Sequence, residues 1–250
     1  MPVKKKTNKA PGQGMTAKQM KRRKPISQDY MLPIEPLTEN QKVMWEKWDE
    51  GKMIYAYGVA GTGKTFVALY KALKEVLDDY TPYEKIYIVR SLVATREIGF
   101  LPGDHEDKSS LYQIPYKKMV QSMFEMPDDN SYEMLYDNLK AQETISFWST
   151  SFIRGTTLDN AIVIIDECQN LNFHELDSII TRVGQDSKIV FCGDAAQTDL
   201  LKNNERTGIL DFQRIIQNMD EFALVEFGID DIVRSGLVRS YLISKINLGL

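Results

Sequence analysis

Gly58-Val59-Ala60-Gly61-Thr62-Gly63-Lys64-Thr65 is the stretch that decides the fold. It fits the pattern G-x-x-x-x-G-K-[ST], and its flanks supply the context that this pattern requires. Residues 53–57 are a short apolar run that stops at glycine, the signature of a buried strand. Residues 64–77 repeat apolar side chains at helical spacing through Phe66, Val67, Leu69, Leu73, Val76 and Leu77. In the order strand, loop, helix, the glycines gain a purpose. Gly58, Gly61 and Gly63 let the backbone curl so that amide N–H groups and the positive helix end face phosphate oxygens. Lys64 is then expected to reach the β and γ phosphates of a nucleoside triphosphate. Thr65 offers a hydroxyl to Mg²⁺, a hard cation that takes oxygen ligands and water. The loop from Gly58 to Thr65, with Phe66 directly after it, makes up the expected nucleotide contacts.

Working outward, further runs at 86–89, 161–165, 188–192 and 223–227 have strand length and are rich in Val and Ile. Helical patterns lie between them. The alternation predicts an α/β domain with a mainly parallel sheet covered by helices on both faces, because strands buried on both sides read as nearly continuous apolar runs. Upstream, Thr38 has the character of an N-cap for a helix carrying Val43, Met44, Trp45 and Trp48 and ending at Gly51. The interval from 91 to 158 is longer than one crossover needs. It is read as an insertion with helical stretches at 116–124 and 132–139 and an extra strand at 145–149.

Chemistry is expected at two more strand ends. The run 161–165 is followed by Asp166 and Glu167, which puts two carboxylates at the carboxyl end of a strand, where ligands bind in open parallel sheets. Asp166 is assigned to Mg²⁺, through water. Glu167 is assigned to orienting and deprotonating an attacking water, a contribution of about 10² to 10⁴ in rate. The strand 188–192 runs into Gly193-Asp194-Ala195-Ala196-Gln197, where Gln197 is placed to sense the γ-phosphate.

Composition sets limits. The chain has 250 residues, 43% of them hydrophobic and 26% charged, enough for one substantial core. Its longest apolar stretches are a few residues, against roughly 20 for a membrane span, and the basic start lacks the apolar segment of an export signal. A soluble cytoplasmic protein without a membrane partner is therefore expected. Cys168 and Cys192, the only two cysteines, are expected to be reduced and buried as small apolar filler. The net charge of −4 conceals an asymmetry: residues 1–24 carry nine Lys or Arg and no acid, which leaves the rest near −13. Residues 1–28 are expected to be a flexible basic tail, either a solvated extension or a contact for polyanions, ahead of the domain at 29–250.

Taken together, Thr38-Glu39-Asn40-Gln41, the glycine loop, Asp166-Glu167-Cys168-Gln169 and Gly193-Asp194-Ala195-Ala196-Gln197 resemble, in that order, the motifs of the first RecA-like domain of superfamily 1 helicases. Residues 90–96, Gly99-Phe100-Leu101-Pro102-Gly103-Asp104, residues 152–158, 181–184 and Asp231-Ile232-Val233-Arg234 resemble more narrowly the PhoH family of phosphate-starvation-associated ATPases. The likeness runs from Thr38 to the C-terminus and departs from the family at Cys168, where Ala is common. No added RNA-binding or nuclease domain is expected within these 250 residues.

The resemblance implies a RecA-like P-loop fold, ATP as the nucleotide, and Gln41 as a hydrogen-bonding partner of adenine. It implies a homo-oligomer, a hexameric ring, in which Arg234 or Arg182 of one subunit completes the site of the next. The main expectation is an oligomeric ATPase that remodels RNA or single-stranded DNA. Arg90, Arg96, Arg154, Phe147 and Trp148 are the candidate contacts, with core packing the simpler role for the two rings. The alternatives are a phosphotransferase acting on a small metabolite and a nucleotide-gated protein scaffold. Glu167 favours water as the acceptor over a metabolite.

Overall fold

Six strands form one sheet in which every pairing is parallel. In chain order they are β1 (Met53–Gly58), β2 (Lys85–Arg90), β3 (Ile145–Trp148), β4 (Ala161–Asp166), β5 (Lys188–Cys192) and β6 (Phe222–Phe227). They lie side by side as β3-β2-β4-β5-β1-β6. The glycine-loop strand β1 and the acid strand β4 are thus separated by β5, the arrangement of a RecA-like domain. The computed structural model describes residues 26–90, 105–153, 155–194 and 203–248.

Eight helices complete the described residues: α1 (Glu39–Asp49), α2 (Lys64–Val76), α3 (His105–Gln121), α4 (Asp129–Ala141), α5 (Thr150–Ile153), α6 (Phe173–Ile180), α7 (Asn203–Gln217) and α8 (Gly236–Asn247). Alternation along the strands sorts them into two layers. Ile54, Ile88, Ile162, Ile164 and Val190 face one core with Met44, Trp48, Leu69, Leu73, Tyr116 and Leu135 of α1 to α4. Tyr55, Val163, Ile165, Ile189 and Phe191 face the other with Leu176, Ile179, Phe212 and Ile216 of α6 and α7. All six residues of β4 are buried, which is why its sequence shows no polar alternation.

The local signals act as expected at the helix ends. Thr38 accepts a hydrogen bond from Gln41 N at 3.3 Å and caps α1, and Gly51 follows the helix with φ of 83°. Asn172 and Glu175 close a reciprocal capping box on α6. By contrast, α2 has Gly63 at its N-cap and no side chain on its first amides.

The segment between β2 and β4 contributes α3, α4, the edge strand β3 and α5. The extra strand expected at 145–149 is therefore present and extends the sheet beside β2. A strap, residues 26–37, ties this segment to the body. Leu32 N donates to Met123 O at 2.8 Å, Glu125 N donates to Tyr30 O, and Tyr70 Oη on α2 donates to Leu32 O. The described structure starts inside the expected tail: Ile26 is buried in the core and Gln28–Tyr30 is a 3-10 turn capped by Ser27. One apolar residue among polar neighbours gives no periodic signal, so composition sets the tail boundary slightly late. Residues 1–25 lie outside the described residues.

Candidate functional site: a phosphate loop facing two acids

The glycine loop joins β1 to α2 at the carboxyl edge of the sheet. Val59 N donates to Phe227 O at 2.9 Å and fastens the start of the loop to the end of β6. At Gly58, with φ of 120°, a Cβ would lie 2.1 Å from Phe227 O. Gly63, with φ of 82°, turns the chain into α2 and leaves the first amides of that helix facing the cavity, a ready anion site.

Lys64 is buried, and its ammonium donates to Val59 O at 2.7 Å, Gly58 O at 3.2 Å and Thr62 Oγ1 at 3.2 Å. Burial pushes its pKa below the usual lysine value. The nearby Cys192, Asp194 and Glu167 act in the opposite direction without cancelling that effect. A cation that the fold partly desolvates gains from a phosphate beside it.

Across the cavity, Asp166 ends β4 and pairs in register with Arg90 on β2 and Cys192 on β5. Thr65 Oγ1 donates to Asp166 Oδ1 at 2.6 Å, and Tyr116 Oη donates to Asp166 Oδ2 at 2.5 Å. Tyr116 comes from α3, and the Arg90 charge lies near its hydroxyl. Its pKa is pushed up by burial first and then by the Asp166 charge, so the hydroxyl stays a donor.

Glu167 sits in the left-handed region, φ 54° and ψ 43°, which for a glutamate stores strain of about 1 to 3 kcal/mol. That turn separates its carboxylate from its neighbour's. Gln169 Nε2 donates to Glu167 Oε2 at 2.6 Å, while Gln169 Oε1 accepts from Asp194 N at 2.9 Å. The side chain of Gln169 therefore couples the acid turn to the end of β5. Gly193 is close enough that a Cβ would lie 2.6 Å from Cys168 Sγ. Both cysteines are buried with their pKa values raised by burial, which makes them packing groups rather than nucleophiles.

These groups line one cavity of about 760 Å³. Residues 60–67, Gln41, Asp166, Glu167 and Arg234 all reach it, together with Ile34, Trp45, Tyr70 and Met119. Gln41 is engaged on both sides: Nε2 donates to Thr62 O at 2.8 Å and Oε1 accepts from Leu37 N at 2.8 Å. The resemblance implies that Arg234 or Arg182 completes the site of a neighbouring subunit. The structure seats Arg234 beside this chain's own loop, where its Cγ lies 2.8 Å from the position of a Cβ on Gly61, and Val233 N donates to Gly61 O. Behind this lies Asp231, which accepts from Asn40 Nδ2 at 2.7 Å and Gly228 N at 2.8 Å. Burial works against its charge, but donors from Asn40, Thr38 and Gly228 outweigh that and hold its pKa below the usual carboxylate value.

Arg182 is placed elsewhere, after α6, where its backbone carbonyl accepts from Leu158 N and its Nε is buried without a hydrogen bond. Arg90 is brought into the cavity rather than left to an outer surface. Phe147 packs on Tyr116 at 5.4 Å and Trp148 on Tyr87 at 4.7 Å, so both rings are engaged in packing. Gln197, Arg96 and Arg154 lie outside the described residues. Sequence reasoning missed Tyr116 and the fastening role of Gln169; Tyr116 gives no motif signal, since only the fold brings α3 to Asp166.

Among the described residues no group of three or more His, Cys, Asp and Glu could hold a metal ion. Thr65 and Asp166 nevertheless present adjoining hard oxygens beside the anion site. That set fits Mg²⁺, which keeps waters and takes phosphate oxygens as its remaining ligands. No described helix is long and apolar enough to cross a membrane.

The chain has the α/β fold of RecA-like P-loop NTPases, with the glycine loop and the two acids on one cavity. Comparison with known proteins gives the family: the PhoH-like protein family matches residues 33–244, and the chain belongs to it. The PhoH-like protein of Mycobacterium leprae is 31% identical over 206 residues, covering 82% of this chain and 56% of the relative. That of Bacillus subtilis is 32% identical over 199 residues, covering 76% and 57%. Protein PhoH of Escherichia coli is 28% identical over 212 residues, covering 84% and 57%. The chain thus spans little more than half the length of these relatives. Among solved structures, the large terminase from a thermophilic bacteriophage aligns with a TM-score of 0.48 and 12% identity over 83% of this chain and 50% of its own. The Pif1 helicase of Candida albicans aligns with a TM-score of 0.38 and 16% identity over 86% and 44%.

Proposed function

We propose that this chain binds ATP with Mg²⁺, hydrolyses it, and uses the cycle to remodel RNA or single-stranded DNA as an oligomer. The observation that carries the ATPase reading is the meeting of Lys64, Thr65, Asp166, Glu167 and Arg234 on one cavity. The loop amides and Lys64 take the phosphates, and Thr65 and Asp166 hold the ion, which neutralises phosphate charge when bound. Gln41, Phe66 and the apolar wall of Ile34, Trp45 and Tyr70 receive the base. Glu167, steadied by Gln169, orients and deprotonates the water, and Gln197 reports on the γ-phosphate. We assign Arg234 to the developing phosphate charge in its own subunit. An arginine in that role is worth about 10³ to 10⁵ in rate in related P-loop enzymes.

The polymer and the hexameric ring rest on the family resemblance. The nine cations of residues 1–24 add charge support for a polyanion. Steady-state phosphate release with and without single-stranded RNA, beside Lys64→Ala and Glu167→Gln, tests the reading. Both variants are expected to lose hydrolysis by about 10²-fold or more, and RNA to stimulate the parent protein. Release that ignores Lys64→Ala would end the ATPase reading. Release that depends on Lys64 but ignores both RNA and DNA would end the polymer part.

A further inference from the structure

The segment between β2 and β4 reaches the nucleotide cavity through α3, where Pro115, Tyr116 and Met119 line it and Tyr116 bonds to an acid of the site. Tyr116, on α3, is 2% exposed and packs in the core with Phe147, yet its hydroxyl is spent on Asp166. Arg90, whose strand position is directly across from Asp166, lines the same cavity. The carboxylate of Asp166 therefore has one oxygen on the loop helix, through Thr65, and the other on α3. Pro115, one residue before Tyr116, interrupts the hydrogen-bond ladder of α3 and lines the same cavity. The far end of α3 is tied to the strap through Met123 and Phe124. The strap then continues to Leu37, whose amide is bonded to Gln41. One helix is thus linked to the acid at one end of the cavity and to the glutamine at the other.

We propose that Tyr116 is a positioning residue for the metal, one that holds Asp166 in its metal-ready orientation and couples α3 to loading of Mg²⁺ with nucleotide. The proposal rests on the assignment of Asp166 to the metal made above. Its physical basis is the usual effect of an outer partner on a ligating carboxylate: it fixes the rotamer, and its loss typically costs 10- to 100-fold in metal affinity. A purely structural tyrosine would act through its ring, which Phe preserves.

The test is calorimetric binding of a non-hydrolysable ATP analogue to the full chain, parent and Tyr116→Phe, first in EDTA and then across a Mg²⁺ titration, with Lys64→Ala as reference. Amide exchange of residues 113–124 is followed in the same samples. We expect Tyr116→Phe to bind the analogue in EDTA within twofold of the parent while needing about tenfold more Mg²⁺ to reach half of the tightening. Mg²⁺ with analogue should slow exchange across 113–124 in the parent and do so less in Tyr116→Phe. An unchanged Mg²⁺ midpoint, or an equal loss in EDTA and in Mg²⁺, would overturn the proposal. Analogue binding that survives Lys64→Ala would instead remove the reading of the site, and the proposal with it.

Discussion

Replacing Gly58 by alanine tests whether the loop is held by backbone contact with β6. The added Cβ would lie 2.1 Å from Phe227 O, 2.8 Å from Phe227 N and 2.9 Å from Phe227 C, all backbone atoms of a paired strand that have no rotamer to yield. Three costs combine. The φ of 120° disfavours any L side chain, by about 1 kcal/mol or more. Pushing the packed strand away costs about 1 to 3 kcal/mol. The Val59 N to Phe227 O bond, directly beside the clash, is lost or stretched, worth about 0.5 to 1.5 kcal/mol. The sum is about 4 kcal/mol, equivalent to a fall of about 8 to 16 °C in Tm for a chain of this size. Gly51→Ala is the matched control, because Gly51 also has a positive φ, 83°, but nothing lies within 4 Å of its Cβ position. It should cost about 1 kcal/mol and a few degrees. Thermal and urea unfolding of the two variants side by side measure the difference. Equal losses would refute the argument that β6 backs the loop.

Asp231→Ala should destabilise by about 1.5 to 3 kcal/mol, because it removes a charged acceptor from Asn40 Nδ2 and Gly228 N; urea unfolding measures this. The Asp231 pKa is lowered on folding, so its stabilisation is present above the usual carboxylate range and lost as pH falls through the folded value. The parent should accordingly lose part of its advantage over the variant in acid. For Lys64, burial lowers the pKa, so the free protein sheds that proton at a lower pH than an unfolded chain does. Nucleotide binding needs the charged form, so ADP affinity should weaken on the alkaline side as pH rises through that lowered value, by up to about tenfold per pH unit. The response should vanish in Lys64→Ala; calorimetric titration between neutral and alkaline pH reads it, and a flat profile would mean that Lys64 is charged throughout or makes no phosphate contact.

The sequence shows the strands and the two sides of the cavity because each is encoded over a short span. A glycine loop between an apolar run and a helical period, or two acids after a five-residue apolar run, needs no distant partner to be recognised. Gln41 is legible through its motif neighbours Thr38 to Asn40, although nothing local shows that its amide is turned onto Thr62 and Leu37. The placement of Arg234 is not legible, because it depends on the turn at Ile229–Asp231 folding back onto α1 through Asn40, a contact across 191 positions. Tyr116 is hidden for the same reason. It has the spacing of a core residue and is one, and only its hydroxyl, 50 positions from Asp166, has a second task.

The two acids that follow β4 are adjacent in the chain but attached to different parts of the molecule. Asp166 continues the strand direction, so it is flanked by β2 and β5 and receives donors from α2 and α3. Glu167 turns out of the strand at positive φ, and its carboxylate is bound instead to Gln169, which is bonded to the backbone at the end of β5. A straight extended continuation at 167 would send its side chain to the opposite face of the sheet from that of Asp166. The left-handed turn keeps both carboxylates on the cavity while giving them separate supports. A shift of α3 therefore acts on the carboxylate assigned to the metal, and a shift at the end of β5 acts on the one assigned to water. Under the proposed function, that separation lets ion loading and water activation respond to different neighbours, and the strained φ of Glu167 is the structural cost of it.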